Sequence, residues 1–270
     1  MCRFYIKCKN NLWYGFFNHF NSNLVTQAIS TRFHGVSKAE FSSLNLALHN
    51  GDNSKDVWQN REAFCLGLGI DAKKIVTAQQ VHGTNVLCVD ESYLGRGAFD
   101  YEEAIENTDG LITNVPDLPL MMFFADCVPI LIFDPIKKAI GICHAGWKGT
   151  VHGIAQKTVQ AMGSSFNSRP EDCLIGIGPS IGPCCFEVDE PVYTQFKQAF
   201  PSLTYKQTSK EKWKINLWEA NRLQLKNIGV LDKNIICSNV CTKCNSDVFF
   251  SYRADEGKTG RIAAIIQLKS

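Results

Sequence analysis

Short apolar runs, most of them closed by glycine, proline, asparagine or aspartate, recur along this chain and constrain its fold more than any other feature. They have the length of buried β-strands, and segments with helical periodicity separate some of them. The strand-like runs cover residues 75–77 and 80–82, 86–89, 110–113, 119–125, 128–133, 139–144, 173–177, 234–240 and 261–268. The helix-like segments cover residues 56–68, 151–162, 191–200 and 216–228. This interleaving predicts a mixed α/β fold, although it does not predict the order of the strands.

The length of 270 residues suits one large domain or two small ones. We find no internal repeat, low-complexity tract or long linker, so we interpret residues 1–270 as a single domain. The most polar stretch, residues 205–214, is interpreted as a solvated loop or helix end rather than as a domain boundary. Hydrophobic residues make up 45% of the chain, which is enough for a substantial core.

The charge pattern argues against two classes of partner. The formal net charge is +2, and lysines and arginines are spread among acidic residues, so neither a nucleic acid nor a membrane surface is indicated. No stretch approaches the ~20 apolar residues that a membrane span requires. Residues 1–20 lack the unbroken apolar segment of a signal peptide, so we expect a cytoplasmic protein. The sequence leaves the oligomeric state open.

Two histidines and one cysteine stand beside apolar runs and glycine turns, where α/β sheets place their sites. His82 precedes Gly83, His144 ends an apolar run shortly before Gly146, and Cys127 lies at the junction of two apolar runs. Three protein donors with an open fourth position are typical of catalytic zinc, which activates a water molecule. The three residues are therefore the candidate metal-binding and catalytic set, although their spacing matches no short metal motif.

The same three residues allow other interpretations. A single histidine at a strand end is more often a satisfied polar residue, and a single cysteine in an apolar run usually packs in a core. A cysteine hydrolase would use Cys127 as its nucleophile and His82 or His144 as its base, and metal content would distinguish it from a metalloenzyme. A multicopper oxidase is disfavoured, because several copper centres need more ligands than six histidines provide. A non-catalytic binding or scaffold protein that keeps the site for stability also stays open.

Asp126 adjoins Cys127 in the sequence. If strand geometry holds there, its side chain points to the opposite face of the sheet. From that face it could still orient a ligand or a hydrogen-bond donor.

Ordered motifs along nearly the whole chain carry a resemblance to a known family. They cover residues 30–37, 44–46, 51–52, 80–83, 108–113, 125–129, 144–149, 177–188, 241–242, 250–253 and 259–261. In these motifs the chain resembles the laccase-domain proteins. That family was once described as multicopper polyphenol oxidoreductases and has been reassigned as zinc-dependent purine nucleoside phosphorylases with adenosine deaminase activity. The resemblance implies a layered, mixed-sheet α/β fold.

The resemblance also implies roles for individual residues. The family's metal-binding and catalytic His, Cys and His correspond to His82, Cys127 and His144, with zinc as the cofactor. Arg32, Asn45 and Arg253 match polar positions near the family's substrate pocket. The implied reaction is phosphorolysis of adenosine or inosine to base and ribose 1-phosphate, with methylthioadenosine as a further candidate, alongside deamination of adenosine. The preferred nucleoside and the main activity are left open.

Several residues near these motifs are candidates for substrate contacts. Backbone N–H groups of the turn at 178–182, with Arg32 and Arg253, could bind phosphate. The two glycines and the proline in that turn equally suit a tight bend without a ligand. Trp147 could stack on the purine or pack in the core. Lys148 stands where the family usually has arginine, so the charge is kept and the planar fork that binds phosphate is lost.

The chain has twelve cysteines, and without a signal peptide we expect them to be reduced. Cys241 and Cys244 form a single CxxC pair, which supplies half of a structural zinc site and lacks a partner pair. Cys184 and Cys185 are expected to have packing or turn roles. The sequence therefore predicts no structural zinc site.

Overall fold

Two sheets packed face to face form the centre of the computed structural model, which describes residues 3–270. In that part of the chain the first sheet is antiparallel, with the order β1-β2-β3-β14-β6. Its strands are β1 (Phe4–Lys9), β2 (Leu12–Phe17), β3 (Val25–Ser30), β6 (Leu120–Phe124) and β14 (Ile262–Leu268).

The second sheet is mixed, with the order β13-β9-β7-β8-β5-β4 in the described residues. Its strands are β4 (Val86–Cys88), β5 (Gly110–Thr113), β7 (Val128–Asp134), β8 (Ala139–Ala145), β9 (Leu174–Ile177) and β13 (Ile235–Cys237). The two outer pairs, β13 with β9 and β4 with β5, are parallel, while the inner strands pair antiparallel. The sequence prediction of a mixed α/β fold is confirmed.

Helices and a small antiparallel sheet cover the outer faces. The helices are α1 (Ser54–Leu68), α2 (Trp147–Val151), α3 (Ile154–Phe166), α4 (Glu190–Ala199) and α5 (Leu217–Asn227). The small sheet has the order β10-β12-β11, from β10 (Glu187–Asp189), β11 (Lys206–Ser209) and β12 (Lys212–Lys214). No helix among residues 3–270 is long and apolar enough to cross a membrane.

The core strands are apolar throughout because both of their faces are buried. Along β7, Ile130 and Ile132 face the core beneath α3, α4 and α5, while Leu131 and Phe133 face the core between the two large sheets. In β14, Ile265 faces a third core that includes residues of α1. This alternation of side chains gives four layers, helix, sheet, sheet and helix, in agreement with the layered arrangement that was expected.

The strand prediction missed the N-terminal hairpin of β1 and β2. Most of β1 is exposed, so its sequence lacks the apolar run of a buried strand. Asn10 and Asn11 make the turn with φ angles of 52° and 61°, which are typical of a two-residue hairpin. The polar stretch at 205–214, interpreted above as a loop or helix end, is instead the exposed β11–β12 hairpin with Trp213 buried against Tyr193.

Two other predictions were wrong in detail. Residues 75–82 form no regular strand and make only isolated bridges, at Val76 and Ala78. The helix predicted over 151–162 is divided into α2 and α3, because Gly153 adopts a φ of 80° between them.

Candidate metal centre and active site

His82, Cys127 and His144 converge at one end of the central strands of the second sheet. Cys127 lies in the bend between β6 and β7, His144 lies near the end of β8, and His82 lies in the loop before β4. Their potential ligand atoms all lie within 4.8 Å of one another. The two imidazole rings are 4.8 Å apart between centroids and inclined at 70°. The structure thus brings together the three residues that the sequence singled out.

The His82 loop is shaped by a buried carboxylate rather than by a strand. Asp109 Oδ1 accepts the backbone N–H of His82 at 3.0 Å, and Asp109 Oδ2 accepts those of Val81 at 3.1 Å and Gly83 at 2.7 Å. His82 itself has a φ of 61°, a conformation that needs such support in a residue other than glycine. Asp109 therefore determines where the His82 side chain can project.

Asp109 also orients His144. Its Oδ1 atom lies 2.8 Å from His144 Nδ1, and both residues are buried. With Nδ1 engaged, Nε2 is the ring nitrogen left for a metal ion, as in many carboxylate–histidine–zinc arrangements. Sequence reasoning assigned no role to Asp109, although its position immediately before the apolar run of β5 was a usable signal.

The charges of the site support one another. Burial disfavours both ionised forms, but His144 and His82 together lower the pKa of the Cys127 thiol below its usual range. Conversely, Cys127 and Asp109 outweigh burial and raise the pKa of His144. Burial likewise opposes ionisation of Asp109, yet its hydrogen bond with His144 and those from the backbone lower its pKa. A thiolate beside two imidazoles is a donor set that fits zinc.

Gly146 lets the three donors approach each other. A Cβ atom at this position would lie 2.8 Å from Cδ2 of His82 and 3.1 Å from Sγ of Cys127. Gly146 is also the N-cap of α2, so the helix starts directly beside the site. A glycine is required here by lack of space.

Asp126 is a buried junction of three loops. The condition of strand geometry does not hold at Asp126, which occupies the bend before β7 with a φ of 83°. Its carboxylate accepts hydrogen bonds from Thr242 Oγ1 at 2.6 Å, Ser251 Oγ at 2.7 Å and the Arg253 backbone N–H at 2.7 Å. Asp126 thereby connects the bend that contains Cys127 to the loops that contain Thr242, Ser251 and Arg253.

A cavity of about 480 Å³ opens onto the three donors. Its other lining residues are His49, Gln80, Phe123, Ala125, Asp126, Trp147, Ile181, Phe186, Leu217, Tyr252, Arg253 and Arg261. The three candidate metal donors, two arginines and several aromatic rings therefore share one space. Trp147 lines this cavity and packs against the core beneath it, so its core role is confirmed and its stacking on a purine stays a prediction.

The three predicted substrate-binding residues have different positions. Arg253 lines the cavity. Arg32 does not, because its guanidinium donates to the carbonyls of Ser42 and Ser246 and packs on the Phe250 ring. Asn45 is buried outside the cavity, where its Oδ1 accepts the backbone N–H of Arg261 at 2.9 Å. Asn45 thus supports a cavity residue, Arg261, that sequence reasoning did not single out.

The turn at 178–182 is not available to bind phosphate through its backbone. The N–H groups of Gly178, Ser180 and Ile181 donate to the carbonyls of Pro129, Val240 and Asp126, and that of Gly182 donates to Cys241 Sγ. Residue 179 is proline and has no N–H. The alternative of a tight bend without a ligand is therefore the correct one.

Comparisons with known proteins agree with this architecture. The purine nucleoside phosphorylase YlmD of Geobacillus stearothermophilus is 40% identical over 241 residues, covering 88% of this chain and 88% of that protein. The Bacillus subtilis protein of the same name is 38% identical, covering 92% and 90% of the two chains. The crystal structure of YlmD from Geobacillus stearothermophilus matches with a TM-score of 0.92 and 36% identity, covering 98% of this chain and 99% of that one. Residues 26–269 match the family model described as multi-copper polyphenol oxidoreductase laccase. The chain therefore belongs to the laccase-domain family.

Proposed function

We propose that this protein is a zinc-dependent purine nucleoside phosphorylase that also deaminates adenosine, with residues 1–270 acting as one catalytic domain. The observation that carries the proposal is the cavity in which His82, Cys127 and His144 lie together with Arg253 and Arg261. The name purine nucleoside phosphorylase borne by relatives at 40% and 38% identity supports the same assignment.

The donor set favours zinc over copper. Two imidazoles and a thiolate leave a fourth position open, which is typical of catalytic zinc. A multicopper enzyme needs several histidine-rich centres, and within residues 3–270 only this group of candidate ligands contains histidine. A bound Zn²⁺ would supply a Lewis acid at this end of the cavity. Asp109 would hold both histidines in the positions that a metal ion needs, through the His82 backbone and the His144 ring.

Phosphorolysis needs an anion site near C1′ of the nucleoside and a surface for the purine. Arg253 and Arg261 line the cavity, and guanidinium groups bind phosphate oxygens through pairs of hydrogen bonds. Phe123, Trp147 and Tyr252 offer flat aromatic faces for the base. Phosphate then attacks C1′, the bond to N9 breaks, and the products are the purine and ribose 1-phosphate. Adenosine, inosine and methylthioadenosine are the substrates to test.

Deamination would use the same cavity with water in place of phosphate. The amino group at C6 leaves as ammonia, so polar groups must hold the purine edge and relay protons. His49 lines the cavity and is suited to these tasks, whereas the side-chain amide of Gln80 already bonds the Phe123 backbone through both of its polar atoms. The two activities therefore compete for one nucleoside-binding position.

The test is product analysis with the zinc-loaded protein. Adenosine is incubated with and without phosphate, and the products are separated by chromatography. We expect adenine and ribose 1-phosphate only with phosphate, and inosine without it. Cys127→Ala should lose both, while His152→Ala, an exposed histidine outside the donor group and the cavity lining, should retain both. No product from protein with verified zinc content would reject the proposal.

One observation favours a second candidate, a cysteine hydrolase. Cys127, His144 and Asp109 lie in the order nucleophile, base and orienting carboxylate, and the pKa of Cys127 is lowered beside His144. His82→Ala separates the two functions. A hydrolase built on Cys127, His144 and Asp109 does not need the His82 ring, whereas the zinc site does. Metal loss together with activity loss in His82→Ala supports the zinc enzyme. Hydrolytic activity that chelation leaves unchanged, in both wild type and His82→Ala, supports the hydrolase.

A further inference from the structure

Four cysteines from two distant segments meet beside the cavity. Cys184 and Cys185 follow the turn at 178–182, and Cys241 and Cys244 follow β13. Their four sulfur atoms all lie within 4.8 Å of one another. Sγ of Cys244 lies 3.5 Å from Sγ of Cys184 and 3.4 Å from Sγ of Cys185. The expectation of packing or turn roles for Cys184 and Cys185 omitted this contact, because the two pairs are far apart in the chain.

The spacing of the sulfur atoms fits a single tetrahedral metal ion. With Zn–S bonds of about 2.3 Å at the tetrahedral angle, neighbouring sulfurs are ~3.8 Å apart. A disulfide instead needs an S–S distance of ~2.05 Å. The observed sulfur–sulfur distances of 3.4 and 3.5 Å lie slightly below the tetrahedral value, and all four sulfurs lie within 4.8 Å of one another, so a single ion can reach all of them. All-thiolate coordination by four cysteines is a frequent form of closed, structural zinc site.

The surroundings of the cysteines suit thiolate ligands. The backbone N–H of Gly182 donates to Sγ of Cys241 at 3.2 Å, a bond that stabilises negative charge on sulfur. Four thiolates on Zn²⁺ carry two net negative charges, and two lysines stand close by. Lys243 lies inside the CxxC pair, and Lys214 Nζ donates to the carbonyl of Cys184. Cys184 and Cys244 are exposed, so a metal ion has access from solvent.

The cluster joins two loops that wall the cavity. Ser180 and Cys241 form a parallel bridge, and the backbone N–H of Thr242 donates to the carbonyl of Ser180 at 3.0 Å. Thr242 Oγ1 in turn bonds Asp126, beside Cys127. Ile181 and Phe186, on either side of Cys184 and Cys185, line the cavity. A crosslink at the cysteines would therefore hold these walls in place.

From this geometry we propose that Cys184, Cys185, Cys241 and Cys244 bind one structural Zn²⁺ ion, separate from the catalytic set, that clips the two loops together. The ion has no open coordination position and takes no part in the reaction. Its contribution is to fix Ile181, Phe186 and Asp126 relative to one another. Binding at the clip should therefore raise the unfolding temperature.

The test counts metal ions and does not depend on activity. Protein purified under reducing conditions is analysed for metals by mass spectrometry. We expect about two zinc ions per chain in the wild type, about one in Cys244→Ser, and about one in His82→Ala. Cys88→Ser, an exposed cysteine outside the cluster, should keep two. Equal zinc content in wild type and Cys244→Ser would overturn the proposal, as would stoichiometric iron at the cluster.

A second measurement keeps the test decisive if Cys244→Ser folds poorly. His82→Ala protein is stripped of metal, and Co²⁺ and then Zn²⁺ are added. The four-cysteine site should give the intense sulfur-to-cobalt charge-transfer bands of all-thiolate coordination, and zinc should raise the unfolding temperature. Absence of both responses contradicts the clip. A non-reduced mass lower by about 2 Da, which reports a disulfide among these cysteines, also contradicts it.

Discussion

At the scale of single residues, Asp109 organises more of the site than any proposed ligand. One carboxylate receives the backbone of the His82 loop and the ring of His144. It thereby sets a loop conformation and a histidine tautomer at once. The proposed ligands provide the donor atoms, but Asp109 decides which way two of them point.

Asp109→Asn tests this role. The amide NH₂ cannot accept the N–H bonds that one carboxylate oxygen now receives, so the His82 loop should shift and His144 should lose its anionic partner. We expect zinc affinity and turnover to fall about 10- to 100-fold. Competition with a chromogenic chelator measures the affinity. Asp90→Asn, an exposed aspartate, is the matched control, and equal zinc affinity in both variants would refute the assigned role.

At the scale of elements, the site depends on where α2 begins. Gly146 caps this helix and lies against His82 and Cys127, with no room between them for a Cβ atom. The sequence showed small residues after His144 and space for a ligand. It did not show that two of the ligands themselves fill that space.

Gly146→Ala should expel the metal without unfolding the protein. The added Cβ would meet His82 at 2.8 Å and Cys127 at 3.1 Å, so at least one donor must move. We expect the zinc affinity of the His82, Cys127 and His144 site to decrease by tenfold or more, with little change in circular dichroism. Gly163→Ala in α3, whose Cβ would meet only the Ser168 carbonyl at 3.3 Å, should keep its zinc. Unchanged zinc affinity of this site in Gly146→Ala would show that His82 and Cys127 can move to accommodate the added Cβ without losing the metal.

Helix α1 is tied to the rest of the fold by a buried cation. The Arg61 guanidinium donates to the carbonyls of Leu46, Gly97 and Ala98 at 2.7–2.8 Å and lies over the Phe123 ring. Burial lowers its pKa to about 9, which still leaves it protonated at neutral pH. Since Phe123 lines the cavity, this contact also supports the site from behind.

Arg61→Met should strongly destabilise the protein. Methionine fills much of the volume but leaves the buried carbonyls of Leu46 and Ala98 without donors, while that of Gly97 keeps Thr77 Oγ1. The loss of these bonds costs about 3 kcal/mol. The free energy of unfolding is measured by urea titration with circular dichroism. Arg96→Met, at an exposed arginine, should change it by less than about 0.5 kcal/mol. Similar values for the two variants would mean that water reaches these carbonyls.

At the scale of the whole molecule, His19 bridges the two large sheets. It follows β2 of the first sheet, and its Nε2 lies 3.1 Å from the Ile175 carbonyl on β9 of the second sheet. Burial lowers the pKa of His19 to about 4, although a hydrogen bond to Ile175 opposes the shift. The folded protein therefore holds His19 neutral at pH values where the unfolded chain protonates it.

The free energy of unfolding should consequently depend on pH. Between the unfolded pKa near 6.5 and the folded pKa near 4, the unfolded state binds more protons, so stability falls as pH falls. The loss attributable to His19 is on the order of 3 kcal/mol across that window. His19→Phe should reduce the slope there, leaving the contribution of His49, whose pKa burial also lowers to about 4, while His152→Gln should leave the slope unchanged. Parallel profiles for wild type and His19→Phe, from urea titrations at pH 4.5 to 7, would exclude His19 as the source.

Local sequence determined the elements whose signals are carried by neighbouring residues. The apolar runs of β6 to β8 and of β14 were readable because strands buried on both faces need apolar residues at every position. The amphipathic segments α1, α4 and α5 were readable from periodicity and caps. The three proposed ligands were recognised by their turns and by family resemblance rather than by spacing.

Tertiary structure decided everything that depends on residues distant in the chain. Asp109 meets His144, Asn45 meets Arg261, and Cys184 meets Cys244 only after the sheets have packed. Exposed strands such as β1 carry no burial pattern, so their pairing is set by the sheet they join. The physical reason is that hydrogen bonds and metal geometry act through space, whereas periodicity and capping act between near neighbours in sequence. The sequence thus predicted the mixed α/β class and the candidate donor residues, and only the fold determined which partners orient them.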